Sequence, residues 1–222
     1  MSGGGAPDPI RRHPSEATLV AHAAGTLWAA ARPVVQGHLD SCEHCRVAFG
    51  LAEAVGGALL DELPPTPLSP DALRRVTERL GGRARAPAQP AGSPALAAVA
   101  EDASMSPPRL RDVRLRWLAP GVRHAVLLRG PADGTLRLLR VRTGTALPRH
   151  GHRGMELTLV LEGAFADETG RHGPGDLVEV DEATTHRPVA GGPTDCVCLI
   201  ATEGRLRFAG LLGALFGAVA RV

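Results

Sequence analysis

The chain has 222 residues, 44% of them hydrophobic and 22% charged, which is the make-up of one or two folded domains and excludes wholesale disorder. The net charge is +2, all 25 basic residues are arginine, and the acids are interspersed among them, so the basic stripe of a nucleic-acid binder is missing. Apolar stretches such as 206–219 are broken by Arg207, Gly210, Gly213 and Gly217, short of the about 20 apolar residues of a membrane span, and residues 1–9 lack a signal-peptide pattern. A cytoplasmic chain is therefore expected. In that compartment four cysteines read as metal ligands or free thiols. They come as two close pairs, Cys42/Cys45 and Cys196/Cys198, beside nine histidines.

Ser15 suits the cap of a first helix beginning at Glu16, and Gly25 suits its end. Pro33 fits the first turn of a second helix over 34–39. A third helix is predicted over 46–60, where Val47, Leu51, Val55 and Leu59 recur every four residues. So small a bundle buries little core and needs a metal, a disulfide or a partner. The string His38-Leu39-Asp40-Ser41-Cys42-Glu43-His44-Cys45 supplies H-x3-C-x2-C. Residues four apart share a helix face, so His38 and Cys42 converge, with Cys45 one turn later. Two thiolates and an imidazole suit tetrahedral zinc, which needs a fourth donor. His13, upstream of the first helix, is the candidate, while His44 points away from the cysteines' shared face. A buried free pair or a redox C-x-x-C are the alternatives, but no thioredoxin-like βαβ pattern surrounds the motif.

Pro64-Pro65-Thr66-Pro67 breaks regular structure, and a fourth helix is predicted over 69–80, capped by Ser69 or Asp71. Its stripe of Leu73, Val76 and Leu80 either meets a partner or folds back on the bundle. The Ala/Pro-rich stretch 81–108 reads as a flexible linker. From 109 to 222, short alternating runs such as Val113/Leu115/Trp117 are punctuated by Gly, Pro and Asp turns, the pattern of an all-β barrel. The organisation is thus a helical unit over 1–80, a linker over 81–108 and a β unit over 109–222, a multidomain α + β chain.

Within the β unit stands His150-Gly151-His152-Arg153-Gly154-Met155-Glu156, with His186 thirty residues further on. Two histidines two apart on a strand point the same way. With Gly144 and Gly163 these residues match the first motif of the cupins, and Gly175-Asp176 with His186 resembles a shortened second motif. His150, His152, Glu156 and His186 would then gather inside a small barrel. Imidazoles plus a carboxylate suit Zn, Fe, Mn or Ni. Cys196 and Cys198 share a strand face and are expected in the barrel, as an oxidant target or as small core residues; His124 and His172 read as surface or turn residues.

Both constellations in this order resemble the ChrR-type anti-sigma factors. The resemblance runs through Ala23-Ala24-Gly25-Thr26-Leu27, His38–Cys45, His150–Gly154, Glu156–Phe165, Asp167-Glu168, Gly175-Asp176, His186, Asp195–Leu199 and Arg207-Phe208. It implies structural zinc on His13, His38, Cys42 and Cys45, and a second zinc on His150, His152, Glu156 and His186. It also implies that the helical unit holds an ECF sigma factor away from RNA polymerase. The cupin unit would trigger release in response to singlet oxygen or related oxidants. The competing reading is a metal-dependent cupin oxygenase or isomerase fused to a zinc-binding module. Direct DNA binding has the least support, given the balanced charge.

Overall fold

The computed structural model describes residues 9–81, 110, 112–130 and 132–208. The predicted linker lies outside these residues except for its first glycine. Four helices come first: α1 (Glu16–Ala23), α2 (Arg32–Ser41), α3 (Glu43–Asp61) and α4 (Ala72–Gly81). Ser15 caps α1 by accepting from the Thr18 amide, and Gly25 ends it at φ 69°. Pro33 sits in the first turn of α2. The third helix starts at Glu43, three residues before the predicted start, because the extended Cys42 serves as its N-cap and its carbonyl accepts from the Arg46 amide. The fourth starts at Ala72, not residue 69. Ser69 precedes Pro70, whose ring disfavours helical backbone in the residue before it.

The strands are β1 (Arg116–Ala119), β2 (Val122–Gly130), β3 (Gly134–Val141), β4 (His150–His152), β5 (Glu156–Glu162), β6 (Ala164–Asp167), β7 (Gly170–His172), β8 (Leu177–Val180), β9 (Thr185–His186), β10 (Val189–Gly191), β11 (Cys196–Thr202) and β12 (Leu206–Phe208). A six-stranded sheet runs β1-β2-β3-β11-β5-β8, and two three-stranded sheets run β10-β6-β7 and β12-β4-β9. All are antiparallel. Leu118, Val122, Leu139, Val141, Val160, Phe165 and Val178 fill the space between the sheets.

The other face of the large sheet is covered by the helices. Leu19, Leu27, Val34, Val35 and Leu39 share one core with Leu136, Leu157, Leu159, Leu177 and Leu199. Strand β5 is therefore buried on both faces, with Leu157 and Leu159 toward the helices and Glu156, Thr158 and Val160 toward the barrel interior. The fit is close. A Cβ on Gly37 of α2 would come within 2.8 Å of Leu159 Cδ2, and one on Gly134 within 2.9 Å of Trp28 Cδ1. Polar contacts seal the same seam. The buried Asp176 carboxylate accepts from the Arg11 amide at 2.7 Å, the Arg12 amide at 2.9 Å and the Gly173 amide at 2.7 Å. The Ala30 amide donates to the Asp133 carbonyl. The partner that the small bundle needs is thus the barrel itself.

A shared core requires α1, α2 and the barrel to melt together. Leu159→Ala removes a fully buried side chain from that seam, at a cost of about 2–5 kcal/mol. Thermal melts followed by helical circular dichroism and by Trp fluorescence are expected to coincide in the parent and to shift down together in the variant. Two separate transitions in the parent would contradict the shared core.

Candidate metal centres

Two groups of four donors converge, each with its ligand atoms within 4.8 Å of one another. The first joins His13, from the strap ahead of α1, with His38, Cys42 and Cys45. His13 Nδ1 lies 3.4 Å from both sulfurs, and His38 Nε2 lies 3.3 Å from Cys45 Sγ. An N···S edge of a tetrahedron built on Zn–S and Zn–N bonds of about 2.3 and 2.0–2.1 Å is about 3.6 Å, so the donor spacing fits such an ion. His38 Nδ1 lies 2.8 Å from the Gly175 carbonyl oxygen. A carbonyl only accepts, so Nδ1 carries the proton and Nε2 turns its lone pair to the cluster. Burial lowers the pKa of His38 and, with the neighbouring Cys42, pushes the Cys45 thiol up to about 12. Without a cation these groups stay neutral. His44 stays out of the donor set and leans on the His13 ring at 5.3 Å.

The second group lies inside the barrel. His150 and His152 project together from β4, His186 pairs with His150 across β4 and β9, and Glu156 opens β5. All four are buried. The Nε2 atoms of His150 and His152 each lie 3.2 Å from His186 Nε2, and His152 Nδ1 lies 3.4 Å from a Glu156 oxygen. The N···N edge for tetrahedral zinc is about 3.3 Å. Outer partners fix the rings: His150 Nδ1 donates to the Pro148 carbonyl at 2.8 Å, and His186 Nδ1 to Asp167 Oδ2 at 2.9 Å. Burial lowers His150 to about 4 and His152 to about 3 and raises Glu156 to about 7.

All eight residues singled out from the sequence therefore meet in the two expected sets. Outside the donor sets, Asp167 stands behind His186 and His172 behind Asp167, and neither was singled out for this from the sequence. His172 is a correction, since it is fully buried in β7 against Phe165 and reaches Asp167 Oδ1 at 3.2 Å. Burial pushes the Asp167 carboxyl up, but hydrogen bonds from Thr169, His186 and His172 outweigh it and hold the group at about 2. A permanent carboxylate thus orients His186. The available signal was Asp167-Glu168-Thr169, a turn in which Asp accepts from the residue two on. His124 lies on β2 and is half-buried, not in a turn. Cys196 and Cys198 face the barrel interior as free thiols with their sulfurs 3.4 Å apart.

An antiparallel barrel with three imidazoles and a carboxylate on its inner wall, joined to a helical unit with a His2Cys2 cluster, defines a two-centre cupin protein. Residues 109–205 match the ChrR cupin-like domain family. The chain is 47% identical over 199 residues to the anti-sigma-E factor ChrR of Cereibacter sphaeroides, covering 90% of this chain and 92% of that protein. Its structure is similar to that of ChrR in the crystal structure of Rhodobacter sphaeroides SigE in complex with the anti-sigma ChrR. There the TM-score is 0.71 at 44% identity, over 88% of this chain and all of that one. The chain belongs to the ChrR family of anti-sigma factors.

The shifted groups set a pH profile for the chelator-stripped protein. Between about pH 4 and 6.5 the unfolded chain protonates His150 and His152 while the folded chain does not, so stability falls as pH drops. Glu156 acts the other way between 4.5 and 7, where only the folded state is protonated. Two groups against one leave stability rising with pH from 4.5 to 6.5, and the lowered His22, His38 and His124 act in the same direction. The melting temperature is expected to rise between about pH 5 and 6.5; a falling profile there contradicts the neutral buried cluster.

Proposed function

We propose that this protein is an anti-sigma factor that sequesters an ECF sigma factor, holds zinc at both four-donor clusters, and lets the sigma factor go under oxidative stress such as singlet oxygen. Membership in an anti-sigma family makes it a regulator and not an enzyme. The observation that carries the sigma-factor reading is an uncovered apolar surface. Val47, Leu51, Val55 and Leu59 form the predicted stripe on α3, yet all are exposed, Leu51 at 67%. On α4, Leu73, Val76 and Leu80 are exposed as well. Apolar stripes at helical spacing on two successive helices suit a protein partner. A relative of known structure is seen in complex with SigE.

Zinc fits both donor sets. Two sulfurs with two imidazoles favour it over harder cations, and four protein ligands in the barrel complete a tetrahedral shell without an open position for catalysis. Residues 1–80 would hold the sigma factor, 81–108 would tether, and 109–222 would sense. The barrel reaches the holding unit through Gly175, whose carbonyl fixes His38. No described helix is long and apolar enough to cross a membrane. Thiolate-bound zinc suits the reducing cytoplasm, where a sigma factor works. The near-neutral charge gives no reason to invoke nucleic acid.

Co-expression of the full chain with a cognate ECF sigma factor is expected to yield a one-to-one complex with two zinc ions per chain by elemental analysis. Leu51→Asp combined with Val55→Asp should weaken that complex at least about 100-fold, roughly 3 kcal/mol, while the exposed positions leave the melting temperature nearly unchanged. Absence of a complex, or a variant that binds as tightly as the parent, contradicts the proposal.

A further inference from the structure

Beside the second cluster the barrel encloses a cavity of about 100 Å³. Val122, Leu139, Val141, Leu147, Phe165 and Ile200 give it apolar walls. Arg137 interrupts them. It projects from β3 on the same face as Leu139 and Val141, into the interior. The residue is only 8% exposed, and its Nε has no hydrogen-bond partner among the described residues. Glu156 is near enough to be felt electrostatically, yet among the described residues no carboxylate forms an ion pair with Arg137. Arg140, three residues further along β3, is exposed and paired with Asp195 at 2.9 Å.

A buried cation without a counter-ion is costly, and burial lowers this one only to about 10, so it stays charged at neutral pH. The guanidinium fork matches a carboxylate in two parallel hydrogen bonds. Arg137 also lines a surface depression with Arg129, Thr202 and Leu206, which sets it between the cavity and the outside. Small hydrated anions such as phosphate gain nothing from the apolar walls. An apolar cavity of about 150 Å³ accommodates benzene, so this one suits a body of about four or five carbons.

We propose that the barrel cavity is a binding site for a small organic monocarboxylate, its head held by Arg137 and its hydrocarbon body by Leu139, Val141, Phe165 and Ile200. Such an occupant sits beside the second cluster and the thiols of Cys196 and Cys198. The site goes beyond the sigma-factor reading and stands or falls without it.

The test is calorimetric titration of the full-length, zinc-loaded protein at neutral pH with pentanoate and with its neutral analogue pentanamide. Pentanoate is expected to bind one per chain, at least tenfold tighter than pentanamide. Arg137→Met should remove that preference, and Arg137→Lys, which keeps the charge but not the fork, should retain part of it. Equal affinity for acid and amide in the parent overturns the proposal, as does no pentanoate binding up to about 10 mM. A preference that survives in Arg137→Met also overturns it, because the anion then sits on the metal. Should Arg137→Met fail to fold, the acid–amide comparison in the parent and in Arg137→Lys decides.

Discussion

The imidazole of His38 is the joint on which this structure depends. One ring nitrogen faces the thiol of Cys45 and the other donates to the Gly175 carbonyl, in the loop that leads into β8. The Gly175 amide in turn donates to the Val160 carbonyl of β5. A side chain of the helical cluster is therefore hydrogen-bonded to the backbone of the barrel, and that backbone to the strand that begins with Glu156. The leucines around this joint make it rigid, since Leu157, Leu159 and Leu177 close one core with Val34, Val35 and Leu39. Each half buries an apolar face that it could not leave in water.

The two clusters use the same device in different surroundings. In each, a carbonyl or carboxylate behind a histidine turns the remaining ring nitrogen inward. They differ in charge and exposure. The helical cluster offers two sulfurs, with His13 exposed at the surface. The barrel cluster is wholly buried and opens on an apolar cavity. The cavity adjoins the second cluster, while α3 and α4 leave their apolar stripes exposed. The contact at Gly175 is a hydrogen-bonded link between the helical cluster and the barrel backbone.

Much of the site was legible because it is local. Four-residue spacing brings His38 to Cys42, and two-residue spacing brings His150 to His152, without knowledge of the fold. The recurring turns likewise marked the β unit. What was hidden is long-range. Period alone marks the α3 stripe as apolar but not what covers it, and only the fold shows that α1 and α2 cover the sheet while Val47, Leu51, Val55 and Leu59 stay exposed. His172 reads as a turn residue until β7 pairs with β6 and seals it against Phe165. Arg137 and Arg140 are three apart on one strand, so they point to opposite faces, and nothing in their immediate neighbours says which face is closed. In a chain where every basic residue is arginine, composition gives no further help.

The central claim is that the helical cluster and the barrel are one mechanical unit joined at His38. Hydrogen exchange of the backbone amides at Val160 and Gly175, compared between the zinc-loaded parent and His38→Ala, tests it most directly. Loss of the ring should speed exchange at both barrel amides along with those of α2. Barrel amides that exchange at the parental rate while α2 loosens would show two independent halves and contradict the account.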